Sequence, residues 1–193
     1  KKVNQLKLLD LHGFNSSPES TKAITFKKFL SNQDKKNLIV PKLPIYPKDS
    51  INLLSEIIEK ENKEISLIGS SLGGLYSSYL GNIYGLKNVL INPVVPEHLE
   101  FMKDIIGEHS NYQTKEKYKF TESNYQELLD LKFNDLNFPM NHFCLVQLGD
   151  EVLDQKLTIN FFRKSLVIIE KNGIHQFEGF ERYLNLIYDF MIN

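Results

Sequence analysis

The stretch Ile65-Ser66-Leu67-Ile68-Gly69-Ser70-Ser71-Leu72-Gly73-Gly74 constrains this chain more than any other. Four mostly apolar residues run into Gly-x-Ser-x-Gly, and a small-residue segment with helix signals follows. The spacing predicts a strand that turns sharply into a helix with Ser71 at the apex. Such an apex is strained by about 1–3 kcal/mol. Gly69 and Gly73 lack a Cβ, so strand and helix can close around it. The turn lifts the Ser71 hydroxyl clear of the backbone and aims the Leu72 amide, at a helix start, into the same space. One turn is thus expected to supply a nucleophile and half of an anion hole. A phosphate loop is excluded because no Gly-Lys-Ser/Thr ending follows, and a dinucleotide fingerprint fails on glycine spacing.

Composition narrows the partners. A net charge of -1 and a hydrophobic content of 41%, with no basic stripe, argue against nucleic acid. Cys144 is the single cysteine and sits in an apolar run. It is expected in the core, no intramolecular disulfide can form, and a reducing compartment is expected. The start, Lys1-Lys2-Val3-Asn4, shows no apolar leader, and no stretch reaches the ~18 apolar residues of a membrane span. A cytoplasmic protein is therefore expected, while its oligomeric state is left open.

Along the chain, strand-like and helix-like segments alternate. Strands are read at 6–11, 38–40, 65–68, 87–91, 142–148 and 166–169. Helices are expected at 19–30, from Asp49 or Ser50 onward with Ile51, Leu54, Ile57 and Ile58 as an apolar stripe, from the elbow to about Tyr84, at 157–162, and at the C-terminal end. Between 97 and 141 two helical patches are read, at 97–106 and 122–132, joined by a polar stretch holding Tyr112, Tyr118 and Phe120. The alternation predicts an α/β fold, a mainly parallel sheet covered by helices on both faces.

Function in such a sheet gathers beyond the carboxyl ends of the strands. Ser71, Asp150 and His175 each follow a strand and occur in the chain order of the α/β-hydrolase triad. A serine hydroxyl needs a base to take its proton as it attacks. His175 is expected to be that base, with Asp150 holding its imidazole in the required tautomer. Glu151 and Asp154 compete for the orienting role. The amides of Phe14, in the loop after the first strand, and Leu72 are the expected anion-hole donors. His12 is expected to be a structural loop histidine. Asp10-Leu11-His12-Gly13 also echoes the opening of a metallophosphoesterase, but the further acid, asparagine and histidine ligands of that class are missing. No metal or cofactor is expected. Asp10, charged within an apolar strand, is expected to lie near the strand end or to meet a polar partner.

The segments 11–18, 68–74, 90–93, 147–154 and 175–181 together resemble the YqiA-like esterases, small bacterial α/β-hydrolases with little or no cap. The resemblance runs from the first strand to the last helix. It implies a single α/β-hydrolase domain over 1–193, with six or seven mainly parallel strands and strand 6–11 beside the elbow strand. It also implies Ser71 as nucleophile, Asp150 as acid and His175 as base. The chain departs from the family pattern at Asp10 and at Lys171-Asn172. The resulting expectation is a serine esterase for short- to medium-chain carboxylic esters. Pro93–Pro96 and 97–141 would line the acyl pocket, with Tyr112 or Tyr118 as wall residues. An acyl thioesterase on the same triad, or a ligand-binding module that keeps the fold without turnover, are the alternatives.

Overall fold

The computed structural model describes residues 6–32 and 34–193. The chain start, on which the reading of a missing leader rested, lies outside the described residues. The first half of the chain forms β1 (Lys7–Leu11), α1 (Thr21–Phe29), β2 (Leu38–Ile39), α2 (Pro47–Lys60), β3 (Ile65–Ser70), α3 (Leu72–Tyr84) and β4 (Asn88–Ile91). The second half forms β5 (Gly107–Ser110), β6 (Lys117–Phe120), α4 (Glu122–Leu129), β7 (His142–Gln147), α5 (Gln155–Phe161), β8 (Leu166–Glu170) and α6 (Leu184–Ile192). Six strands make one sheet in the order β2-β1-β3-β4-β7-β8, every neighbouring pair parallel. As expected, β1 and the elbow strand β3 lie side by side, Leu11 opposite Gly69.

Alternation along the strands divides the core between the two faces of the sheet. Leu9, Leu11 and Leu67 point to one face, where Leu54 and Ile58 of α2 and Leu75 and Leu80 of α3 cover them. Cys144 and Val146 of β7 meet Phe161 of α5 in an adjoining cluster. Leu8, Ile68, Val89 and Leu145 point the other way, onto Phe26 of α1 and Ile187 and Met191 of α6. Strands buried on both sides need near-continuous apolar sequence, and these have it. One polar exception has a clear partner. Ser66, buried in β3, donates to the Met191 carbonyl at 2.7 Å where α6 ends. Among the described residues no helix is long and apolar enough to cross a membrane.

Three local readings are corrected. The helix expected to start at Asp49 or Ser50 starts at Pro47. Proline is favoured in that first position because its missing N–H has no helical partner anyway, and the Ser50 hydroxyl instead donates to the Pro44 carbonyl at 2.9 Å. The helical patch at 97–106 is two short 3₁₀ turns, Pro96–Phe101 and Lys103–Ile105. The polar stretch before α4 is an antiparallel hairpin, β5 paired with β6.

Asp10 is the next-to-last residue of β1 and is buried. Alternation places it on the face of α1 and α6, in line with Leu8. Burial raises its carboxyl to a pKa of about 7, partly countered by the positive charge of Lys22 in α1. Because the folded-state value lies above the ordinary 3.8, this carboxyl costs stability as pH rises from about 4 to 7. Asp10→Asn mimics the neutral acid. It should change stability little near pH 3.5 and raise it by about 2–4 kcal/mol relative to wild type at pH 8, as read by urea denaturation at both values.

Candidate active site

Strand β3 ends in a turn that no relaxed residue would choose. Ser71 has φ 54° and ψ -125°. Its amide donates to the Ile91 carbonyl at 3.2 Å, and its carbonyl accepts from the amides of Gly74 and Val94, both at 2.9 Å. A Cβ on Gly69 would lie 2.3 Å from the Gly73 carbonyl oxygen, and one on Gly73 would lie 2.3 Å from that of Leu11. The two glycines therefore let β1, β3 and α3 meet at one point. Ser71 occupies the N-cap position of α3 yet makes no capping bond, which leaves its hydroxyl free to face the loop after β8.

That loop brings His175 to it. Nε2 of His175 lies 2.9 Å from Ser71 Oγ, and Nδ1 lies 2.8 Å from Asp150 Oδ2. An ionised Asp150 can only accept, so Nδ1 carries the proton and Nε2 accepts from the Ser71 hydroxyl. The Asp150 side chain is fully buried and the His175 side chain is 18% exposed. Burial pushes the Asp150 carboxyl up, but hydrogen bonds from His175 and the amides of Leu153 and Val152, with the His175 charge, hold it below the usual carboxylate range. Oδ1 accepts from Val152 and Leu153 at 2.8 and 2.9 Å, while Oδ2 also accepts from the Gln155 side chain at 2.7 Å. Of the two competing acids, Glu151 accepts from the His175 amide at 2.9 Å. Asp154 caps α5, accepting from Lys156.

Two polar residues that the sequence reading gave no role hold the histidine loop. Asn92, fully buried after β4, donates to the carbonyls of Ile174 and His175 at 3.0 and 3.1 Å and accepts from the Gln147 amide at 2.9 Å. Gln147, at the end of β7, accepts from the amides of Ile174 and Glu178 at 3.2 and 2.8 Å. It also donates to the Glu178 carbonyl at 2.8 Å. A Cβ on Gly173 would lie 2.1 Å from the Gln147 side-chain oxygen, so only glycine fits between them. The signal available in the sequence was a glutamine closing an otherwise apolar strand.

Across the cleft, the loop after β1 runs beside the elbow. A Cβ on Gly13 would come within 3.2 Å of Ser71 Cβ. The amide of Leu72 sits at the start of α3, where helix N–H groups have no internal partner. His12 is buried, and its Nε2 accepts from the Leu43 amide at 3.1 Å, while Nδ1 lies 3.1 Å from the Gly13 carbonyl. Both ring nitrogens are thus engaged in holding loops. Among the described residues no group of three His, Cys, Asp or Glu side chains is arranged to hold a metal ion.

Ser71 and His175 open into a cleft of about 830 Å³. Its apolar lining includes Val94, Phe101, Met102, Ile105, Tyr112 and Val152, and its polar lining includes Ser20, Thr21, Lys22, Thr25, Asp104, Glu151 and Gln176. Lys22 reaches the Gln176 carbonyl at 2.9 Å. Tyr112 stands in the cleft wall, whereas Tyr118 lines a smaller cavity of about 50 Å³ behind the Phe14 loop.

The fold is that of the α/β hydrolases. Est1E from Butyrivibrio proteoclasticus, solved with ferulic acid bound, superposes with a TM-score of 0.73 at 12% identity, covering 98% of this chain and 90% of that one. Mouse alpha/beta hydrolase domain-containing protein 10 gives 0.71 at 15% identity, covering 98% and 89%. A monoacylglycerol lipase from Paleococcus ferrophilus gives 0.69 at 12%, covering 96% and 93%. Within that class the chain belongs to the YqiA-like family described as Uncharacterised protein family (UPF0227), whose model matches residues 7–192. A UPF0227 protein of Shewanella woodyi is 33% identical over 140 residues, 68% of this chain and 76% of the relative. One from Serratia proteamaculans is 27% identical over 191 residues, 93% and 96% of the two chains.

The support given by Gln147 is open to direct measurement. Gln147→Leu keeps the volume but strands the amides of Ile174 and Glu178 without their acceptor. It should lower the unfolding free energy by about 2–4 kcal/mol and speed amide exchange at residues 174–178, with β1 and β3 protected as before.

Proposed function

We propose that this protein is a serine esterase that cleaves carboxylic esters through an acyl-enzyme. The observation that carries the reading is the unbroken relay from Asp150 to His175 to Ser71 at 2.8 and 2.9 Å, opening into a cleft whose lining is partly apolar. Ser71 Oγ attacks the ester carbonyl carbon as His175 Nε2 takes the hydroxyl proton. Charge on the carbonyl oxygen is received by the amides of Phe14 and Leu72. Collapse breaks the carbon–oxygen bond, and the departing alcohol takes the proton from His175. Water then attacks the acyl-Ser71 ester, with His175 again as base, releasing the acid and returning the proton to Ser71. Asp150 stabilises the imidazolium formed in each half-reaction. The fold shared with esterases and lipases supports this reading, and the apolar part of the lining supports a short- to medium-chain acyl group. A thioester would follow the same steps with a thiol as leaving group.

Ser71→Ala should fold normally, lose ester turnover by at least ~10⁴-fold and fail to react with a fluorophosphonate probe that labels the wild type. Undiminished hydrolysis by this variant removes the mechanism, and an unlabelled wild type points to a ligand-binding module instead. Asp150→Asn should cost about 10³–10⁴ in kcat. Because the Asp150 pKa is lowered, its contribution to stability is present above the ordinary carboxylate range and fades as pH falls through the lowered value. The stability lost in Asp150→Asn should therefore shrink between pH 7 and strongly acidic solution, as measured by denaturation at each pH.

A further inference from the structure

Hairpin β5–β6 takes no part in the six-stranded sheet, and the sequence suggested for it only the pocket-wall tyrosines Tyr112 and Tyr118. Several of its hydrogen bonds and ring contacts go to the loop from Phe14 to Glu19. The Tyr112 amide donates to the Asn15 carbonyl at 2.9 Å, and the Asn111 side chain donates to the Ser16 carbonyl at 2.9 Å. The Tyr118 hydroxyl donates to Oδ1 of Asn15. Gln113 reaches the Glu19 carbonyl at 3.4 Å. The Phe14 ring meets His109, Phe120 and Tyr118 edge-on, with centroids 5.1, 5.8 and 6.1 Å apart.

We propose that this hairpin is the positioning element of the anion hole, with Tyr118 and Asn111 as its working residues. The inference rests on the esterase reading above and adds what sets the Phe14 donor in place. That loop has no regular structure, and Asn15 sits at φ 57°, in the small left-handed region that few residues other than glycine and asparagine adopt. Inside the loop, the Ser16 amide bonds the Gly13 carbonyl at 3.2 Å. That carbonyl and the Phe14 N–H share one planar peptide, so the bond orients the N–H within the turn but does not place the turn against the elbow. The hairpin supplies that. It grips the side chain of Phe14 and both the carbonyl and the side chain of Asn15, so the turn that carries the Phe14 N–H is held through two consecutive residues.

The hairpin is itself firmly seated. Phe120 is fully buried in the core cluster that contains Leu72 and Leu75 of α3. Asn111 Oδ1 closes the tip by accepting from the amides of Gln113 and Thr114, both at 2.9 Å. An anion-hole donor acts only when placed within about 0.5 Å of its productive position, and a misplacement of 1 Å can cost ~10²-fold. His109 and Tyr112 face the substrate cleft, while Tyr118 and Asn111 lie behind it. Tyr118 and Asn111 therefore contribute no surface of their own to the cleft that substrate enters.

The test uses Tyr118→Phe, which removes one hydroxyl and keeps the ring stack, and Asn111→Ala, alone and combined. Each is compared with wild type on a butyrate ester, on a trifluoromethyl ketone that adds to serine and places an oxyanion in the hole, and on the matching unreactive ether. The double variant should lose ~10–100-fold in kcat with KM within about threefold. Affinity for the ketone should fall by the same factor and affinity for the ether should not change. Unchanged kcat and ketone affinity in a labelled, active enzyme overturn this inference and leave the esterase reading intact. Ketone and ether affinities falling together mean general damage to the cleft and also overturn it. A wild type that neither hydrolyses the ester nor takes up the fluorophosphonate overturns both.

Discussion

The backbone conformation of Ser71 is the constraint around which the rest of the molecule is arranged. A residue held at φ 54° and ψ -125° stores on the order of 1–3 kcal/mol, and it persists because several elements insist on it together. Ile91 and Val94 hold its amide and carbonyl from the β4 side. Leu11, at the end of β1, presses against Gly73 so closely that no side chain could intervene. The sheet order that puts β1 and β4 on either side of β3 is thus a requirement of the turn as much as of core packing. Remove either neighbour and the serine has no reason to stay at the apex.

The polar groups beyond the turn form a second layer of the same design. Buried polar residues are worth their desolvation only when all their partners are in place. Asn92 and Gln147 meet that condition by bonding the backbone of the His175 loop from two adjacent strand ends. Asp150 is buried with four donors on its two oxygens, so its charge and orientation are fixed before any substrate arrives. The imidazole between Asp150 and Ser71 consequently has one tautomer available. Pre-organisation of this kind lowers the reorganisation that the reaction itself must accomplish.

What the sequence disclosed and what it concealed follow from the range of the interactions involved. The strands of β3, β4 and β7 were legible because burial on both faces demands apolar runs. The elbow was legible because its glycine spacing is a local steric requirement, and the post-strand positions of Ser71, Asp150 and His175 followed from it. The β5–β6 hairpin was not legible. Its strands, Gly-Glu-His-Ser and Lys-Tyr-Lys-Phe, show little hydrophobic alternation because they pack on a loop through His109 and Tyr118 instead of on the sheet. The roles of Asn92 and Gln147 were equally hidden, since their partners lie more than twenty residues away in sequence and are backbone atoms, which leave no mark on residue identity. The start of α2 at Pro47 was missed because Asp49 and Ser50 are attractive caps.

The central claim is that Ser71 Oγ, the His175 ring and the amides of Phe14 and Leu72 converge on one reacting carbon. A crystal structure of the protein after reaction with an alkyl phosphonate ester examines all four at once. The account predicts phosphorus bonded to Ser71 Oγ, one phosphoryl oxygen within about 2.7–3.1 Å of both amides, and His175 Nε2 facing the position of the leaving group. An adduct on another residue, or a phosphoryl oxygen turned away from the Phe14 and Leu72 amides, would contradict it.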